Sequence, residues 1–409
     1  MNRYVIIGGG IAALGCIDAL IGADDKCSIT VVSEENTTPY ARPLISYYLE
    51  GKTDFDKMQY RTADFYEKNN IEFLTGETAV SIDGKTVVCK SGRKIEFDKL
   101  LAATGSSPFV PPFKGLEKVK NKFSFMTEQD ALDIEQATDG DSDVLIIGAG
   151  LIGLKCAEGL CKRVGHITVC DLADRVLPSI LDADCAAIVQ QKLEDAGIEL
   201  MLGDSAEEFS QNSAVMKSGK EVHFDVLVLA VGVRPNLSLL EGIGAEIGRG
   251  VIVNDKCETS VPDVYAAGDI TESRDISSGE NKVMAILPNA YMEGYCAGVN
   301  MSGGDSKFDN RIPMNSIGFF GYHIMTAGSY ADGDMYEQRD GDSVKRLFTK
   351  DNRLVGFMLL GNVERAGIYT SLVRNSTPLD TVDFEKLKIN PSLLGFSDKY
   401  RRKNLGGVL

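Results

Sequence analysis

The sequence has no tryptophan and only three histidines, His166, His223 and His323. No set of Cys, His or acidic residues has metal-ligand spacing, so neither a zinc nor an iron–sulfur centre is expected. The nine cysteines are odd in number and follow no framework spacing. They read as thiols of a reducing, cytoplasmic setting. No apolar run reaches the roughly 18 residues of a membrane-spanning helix. The hydrophobic start is interrupted by Gly8, Gly9 and Gly10 and has no cleavage pattern, so it is not a signal peptide. Positive charge is scarce: 43 Lys and Arg stand against 59 Asp and Glu, a net charge of −16. Nucleic acid and anionic membrane surfaces repel such a chain.

What is present is the composition of a globular protein, 44 % hydrophobic and 25 % charged, in a chain of 409 residues that suits two or three domains. Residues 3–7 (RYVII) read as a buried parallel strand, followed by a glycine turn, a helix over about 12–21 and a second strand over 28–32. The pattern recurs over 143–170: strand DVLII, turn GAGLIG, helix, strand HITVC. The stretch 71–103 reads as a meander and a return strand. Phe224–Val231 and Asp263–Ala267 are further strands. Pro108, Pro111 and Pro112 mark a crossover. From Pro313 the sequence turns strand-rich (SIGFFGYHIMTAG, VKRLFTK, RLVGFMLLG), as in an α+β domain.

The first turn, Gly8-Gly9-Gly10-Ile11-Ala12-Ala13, has the form G-x-G-x-x-A. Gly8 permits the tight turn, Gly10 lets a pyrophosphate approach, and Ala13 allows close helix–strand packing. The helix N-terminus offers N–H groups to the phosphates. Glu34, just past the second strand, is placed to accept hydrogen bonds from a ribose diol. The second turn, Gly148-Ala149-Gly150-Leu151-Ile152-Gly153, repeats this logic with Asp171 as its acid. Asp171 repels a 2′-phosphate, and Leu172 and Ala173 supply no cation for one. NADH is therefore expected over NADPH, with Arg175 as the residue that could reverse the preference. Two dinucleotide sites in one chain suggest a flavin beside a nicotinamide.

With these motifs in order, the chain resembles the FAD/NAD-linked reductases of the pyridine nucleotide-disulfide oxidoreductase superfamily. The resemblance is carried by GGGIAA, Ala103-Thr104-Gly105, GAGLIG, Ala230–Asn236 (AVGVRPN, with Gly232) and Val264–Asp269 (VYAAGD, with Gly268). It implies that Asp269 binds the FAD ribityl chain and that 103–105 passes near the flavin. It also implies that the helix opening at Pro288, Asn289 and Ala290 points its N-terminus at the flavin pyrimidine edge. Val80 is expected among the cofactor contacts. Tyr40-Ala41-Arg42-Pro43-Leu44 and GNVERAGIYTSL resemble the NADH:rubredoxin reductase and nitrite reductase-like branch, in which Arg42 and Pro43 run along the isoalloxazine. The implied fold is α/β: two Rossmann-like, three-layer ββα domains plus a C-terminal α+β domain. FAD takes 1–110 and 240–312, NAD takes 111–239, and 313–409 forms the third domain.

Disulfide reductases of the superfamily carry redox cysteines after the second strand. Here no Cys lies between Cys27 and Cys89, so the active-site dithiol is lacking. Cys156 and Cys161 have the right gap but sit on a helix and point to different faces. Relatives also pair a Lys, where this chain has Ser46, with a Glu, where it has Lys155. Lys155 is thus expected to reach the flavin N5 region or the nicotinamide carboxamide; its alternative is a solvated helix lysine. The expected function is an FAD-dependent reductase passing electrons from NADH to rubredoxin, ferredoxin or an iron–sulfur partner subunit, with a homodimer admitted. Acidic carriers would need a basic patch, for which Lys399, Arg401, Arg402 and Lys403 are candidates. Two alternatives stay open: a peroxide-forming NADH oxidase, and an FAD-bearing structural or NADH-sensing subunit.

Overall fold

The computed structural model describes residues 2–23, 27–331, 333–398 and 400–401. By its internal contacts the chain divides into two compact units. One comprises Met1–Thr30, Ala79–Ala103 and Leu237–Leu409, the other Val31–Thr78 and Thr104–Asn236.

In the first unit the strand Arg3–Ile7 pairs in parallel with Lys99–Ala102, Tyr4 opposite Lys99 and Ile7 opposite Ala102. Val264–Ala266 pairs in parallel on the far side of Lys99–Ala102. Val5, Ile6, Leu100, Leu101 and Ala266 are fully buried. Such strands are covered on both faces, which is why they are apolar throughout and do not alternate. The helix Ile11–Ala23 lies against the helix Leu287–Met301 through glycines. A Cβ on Gly15 would sit 2.2 Å from the Tyr291 carbonyl oxygen, and one on Gly294 1.9 Å from that of Ala12. Backbone therefore meets backbone, which any side chain there would prevent. An antiparallel meander, Ala79–Asp83, Thr86–Cys89 and Lys94–Glu96, completes this α/β part. A register shift between Ala79 and Ser81 leaves Val80 out of the ladder.

The same unit holds a five-stranded antiparallel sheet in the order Met314–Phe319, Tyr322–Gly328, Arg353–Leu360, Ser343–Lys350, Asp334–Asp340. The helices Ala366–Arg374 and Phe384–Ile389 add Tyr369, Leu372, Val373 and Leu387 to a core shared with Leu347, Phe357 and Leu359. Four of these strands fall in the stretches that read as strand. The fifth, Asp334–Asp340, has no apolar alternation because it is an exposed edge.

In the second unit five parallel strands run in the order Glu199–Leu202, His166–Asp171, Asp143–Ile147, Val226–Leu229, Lys122–Phe123. A three-stranded antiparallel meander closes a core of Leu145, Ile147, Phe209, Met216, Phe224 and Leu227. The two parallel α/β halves and the C-terminal α+β portion expected from the sequence are thus present. Among the described residues no helix is long and apolar enough to cross a membrane, and no cluster of His, Cys, Asp or Glu could hold a metal. None of the nine cysteines is in a disulfide; Cys27 and Cys161 are half-buried and the others buried. Of the basic tail residues, Arg401 lies 3.6 Å from Asp398; Lys399, Arg402 and Lys403 lie outside the described residues.

Candidate functional site

The two glycine turns fold alike. Gly8 and Gly148 take φ of 113° and 118°, left-handed values that a side chain would strain. At Gly10 and Gly150 an added Cβ would meet nothing within 4 Å, so the backbone there is open to an approaching phosphate. At Gly153 a Cβ would lie 2.0 Å from the Gly148 carbonyl oxygen, and Ala13 is fully buried. Helices begin at Ile11 and Leu151 directly after the turns. Their first-turn N–H groups, those of Ile11, Ala12 and Ala13 and of Leu151, Ile152 and Gly153, have no intrahelical acceptor. Both turns fit a pyrophosphate.

Within the first unit the structure brings Gly268, Asp269, Ala290 and the first turn together. A Cβ on Gly268 would be 3.3 Å from the Ala12 Cβ and 3.6 Å from that of Ala290. The Gly268 N–H donates to Glu293 Oε2 at 2.8 Å, and the Thr271 hydroxyl to the same oxygen at 3.0 Å. Arg311 Nε donates to Glu293 Oε1 at 2.9 Å. Burial pushes the Glu293 carboxyl up, and the Arg311 guanidinium opposes this. Arg311 also reaches the Phe308 carbonyl and, at 3.4 Å, Cys257 Sγ. This buried ion pair holds the turn that presents Asp269, and neither member stands out in the sequence. Pro288 opens the helix, Asn289 is buried, and its amide donates to the Ile312 carbonyl at 3.0 Å. Ala103 N–H donates to the Ile7 carbonyl at 2.7 Å. Val80 is 52 % exposed.

In the second unit Asp171 braces its own turn. Its Oδ2 accepts from the Ala149 N–H at 2.7 Å and its Oδ1 from Ala173 N–H at 2.8 Å. Leu172 is exposed. Arg175 is engaged by Asp174 at 2.9 Å and the Leu181 carbonyl at 3.4 Å. Glu34 is exposed, whereas its neighbour Glu35 accepts from the Tyr40 hydroxyl at 2.9 Å and pairs with Arg42. Arg42, Pro43 and Leu44 form one 3-10 turn leading into the helix Ile45–Leu49.

Two motifs read separately turn out to be one structure. Asn236 Nδ2 donates to the Thr104 carbonyl at 2.9 Å, the Thr104 hydroxyl to the Asn236 carbonyl at 2.8 Å, and the Asn236 N–H to the Gly105 carbonyl at 3.0 Å. Gly232, at φ 109°, accepts from Phe109 N–H at 2.9 Å in the adjoining antiparallel pair.

Lys155 is half-buried. Its ammonium pairs with Glu158, one turn on, and lies 4.9 Å from the Tyr47 ring centre; the side chains are 18 % and 7 % exposed. Position 155 lacks the relatives' acid, but Glu158 puts a carboxylate back beside it. The residue at position 155 alone does not show this, because the carboxylate arrives from the next helical turn. Ser46 is buried, and a Cβ on Gly159 would come within 2.9 Å of its carbonyl oxygen.

Residues 2–294 match the family model described as pyridine nucleotide-disulphide oxidoreductase. The chain is 28 % identical to the NADH-dependent phenylglyoxylate dehydrogenase subunit epsilon of Aromatoleum evansii, over 96 % of each chain. It is 35 % identical to an NADH oxidase of Methanocaldococcus jannaschii, over 88 % of this chain and 87 % of that one. The crystal structure of the NADH:rubredoxin oxidoreductase from Clostridium acetobutylicum superposes with a TM-score of 0.73 at 27 % identity, covering 93 % of this chain and 96 % of that one.

Proposed function

The chain belongs to the pyridine nucleotide-disulphide oxidoreductase family, and on that premise we propose that it is an FAD-dependent NADH oxidoreductase handing electrons to a protein acceptor. The observation that carries this is the pair of equivalent glycine turns in one chain, each with an open second glycine. FAD takes 1–110 and 240–312, NADH takes 111–239, and 313–409 is the C-terminal domain. Bound FAD supplies the hydride-accepting centre. Gly8–Ala13 present helix N–H groups to its pyrophosphate, Glu34 accepts from its ribose, and Asp269 meets its ribityl chain. Arg42, Pro43, Val80, Ala103, Thr104 and Gly105 line it, and Pro288, Asn289 and Ala290 face its pyrimidine edge. Gly148–Gly153, Asp171 and Gly232 hold NADH.

Asp171 sets the nucleotide preference, because its carboxylate can accept from the ribose diol as well as from its own turn. Asp171→Ala is expected to raise KM for NADH about 10–100-fold, the scale of losing hydrogen bonds to a charged group. Steady-state kinetics with NADH and NADPH checks this. Lys155 is held by Glu158 and Tyr47 with its charge partly buried, a placement suited to meeting the nicotinamide carboxamide or the flavin N5 region. Lys155→Met is expected to slow flavin reduction roughly tenfold or more in anaerobic stopped flow. An unchanged rate would remove Lys155 from the reaction.

The acceptor is a small electron carrier such as rubredoxin or ferredoxin, or an iron–sulfur partner subunit. A relative that is an oxidoreductase for rubredoxin and another that is one subunit of an NADH-dependent dehydrogenase support this range. A reducing compartment such as the cytoplasm suits nine cysteines outside any disulfide. The test is anaerobic titration of the purified protein with NADH, then a panel of acceptors. Yellow protein bleached by NADH and recoloured by a carrier is the expected result. Rapid recolouring by O₂ alone, with peroxide formed, would favour the oxidase reading that the Methanocaldococcus jannaschii relative suggests. A colourless protein, or a yellow one that NADH leaves unchanged, would overturn the enzyme reading.

A further inference from the structure

Two arginines of the first unit sit against the helix Leu287–Met301, Arg311 buried and Arg374 half-buried, and of these two only Arg311 has an acid. Arg311 faces Glu293. Arg374, the last residue of the helix Ala366–Arg374, faces Asn289 and two thioethers. Its Nη2 lies 3.3 Å from Asn289 Oδ1 and 3.8 Å from Met314 Sδ, and its Nη1 3.4 Å from Met292 Sδ. Its Nε is buried without a hydrogen-bond partner. Among the described residues no carboxylate lies at ion-pair distance from it, and burial alone pushes its pKa down.

A half-buried guanidinium in such a setting carries a partial desolvation cost that no carboxylate offsets. The positive end of the helix Leu287–Met301 adds to the charge and does not relieve it. Asn289 is not free to turn away, because its amide donates to the Ile312 carbonyl at 3.0 Å and so leaves Oδ1 toward Arg374. The next residue, Ala290, is the one packed against Gly268 beside the first glycine turn. Arg374, Asn289, Ala290, Gly268 and Ala12 thus form a continuous chain of neighbours from an unpaired cation to the dinucleotide cradle.

We propose that Arg374 is the counter-charge for the reduced flavin, acting with the N-terminus of the helix Leu287–Met301; this rests on the FAD reading above. Hydride transfer from NADH delivers two electrons and one proton to the flavin and releases NAD⁺. The flavin thereby gains one negative charge unless a second proton is taken from solvent. A cation already partly withdrawn from water and lacking an acid stabilises that charge without being drawn from an acidic partner. Asn289, with its carbonyl on the guanidinium, is a positioning residue for Arg374.

The test compares the two-electron midpoint potential of flavin-loaded wild-type, Arg374→Met and Arg374→Lys proteins by anaerobic dye-equilibrium titration. Arg374→Met should lower the equilibrium constant for flavin reduction about 30-fold, a fall of about 45 mV at roughly 30 mV per decade. Arg374→Lys should keep most of the potential. Thermal melting of the flavin-free proteins gives the second readout. Replacing a half-buried cation that has no acid by a thioether should leave the fold about as stable. An unchanged potential in Arg374→Met overturns the proposal, and lost stability with an unchanged potential reassigns Arg374 to the fold. A protein that takes up no FAD when titrated with it overturns the proposal together with the reading beneath it.

Discussion

A Gly153→Val protein is expected to purify yellow and to stay yellow when NADH is added. Dithionite, which needs no nucleotide site, should still bleach it. A Cβ at this position would lie 2.0 Å from the Gly148 carbonyl oxygen and 3.3 Å from the Ala230 Cβ. Gly148 is itself hemmed in, since a Cβ built on it would lie 2.3 Å from the Ala230 carbonyl oxygen. The helix Leu151–Leu160 must then shift as a body, carrying away the N–H groups that meet the pyrophosphate. A misplacement of about 1 Å at such a site costs on the order of a hundredfold in rate. The residues assigned to FAD in the first unit, Gly8–Ala13, Gly268, Asp269 and Pro288–Ala290, lie elsewhere in the chain, which is why the colour should survive. Stopped-flow reduction by NADH is the measurement. Bleaching at the wild-type rate would show that the second glycine turn is not the nicotinamide site.

Removing Glu293 should produce the largest loss of stability among single substitutions near the cofactors. Arg311 is 1 % exposed and would keep only the exposed Asp255 carboxylate, 3.8 Å away. Breaking a buried pair from one side costs about 3–5 kcal/mol. At roughly 2–4 °C per kcal/mol for a unit of this size, Glu293→Ala should melt on the order of 10 °C lower. It should also release FAD more readily, because the Gly268 N–H and the Thr271 hydroxyl lose the carboxylate that fixes the turn before Asp269. The double variant Glu293→Leu with Arg311→Met separates the two effects. It should regain most of the melting temperature, since apolar groups of similar volume replace such pairs at little cost, yet hold FAD weakly. Thermal scans following flavin fluorescence report both. A single variant that melts like wild type would mean that the pair does not support the turn.

Backbone-driven features were legible from the residues alone. The turns GGGIAA and GAGLIG demand glycine for reasons that do not depend on distant chain, so their positions, helices and flanking strands could be read directly. Side-chain pairs made by folding could not. Glu293 reads as an ordinary polar position on a helix of small and apolar residues, and only Arg311, beyond the end of that helix, explains it. Glu158 looks like a surface acid until the helix brings it beside Lys155, and Asn236 looks like the end of a motif until it meets Thr104. Asp334–Asp340 was invisible for a simpler reason: six of its seven residues are exposed, so no apolar period marks the strand.

The backbone contact between the helices Ile11–Ala23 and Leu287–Met301 bears on how such proteins can be recombined. Gly15 faces Tyr291, Gly294 faces Ala12 and Gly298 faces Cys16, each closer than a side chain permits. The two helices lie far apart in the chain, yet they must be inherited as a matched set. A chimera that takes its amino-terminal segment from one relative and the later helix from another will assemble only if both donors keep small residues at these three crossings. A crossover placed between them is therefore safe or ruinous depending on those glycines, whatever the identity of the remaining sequence.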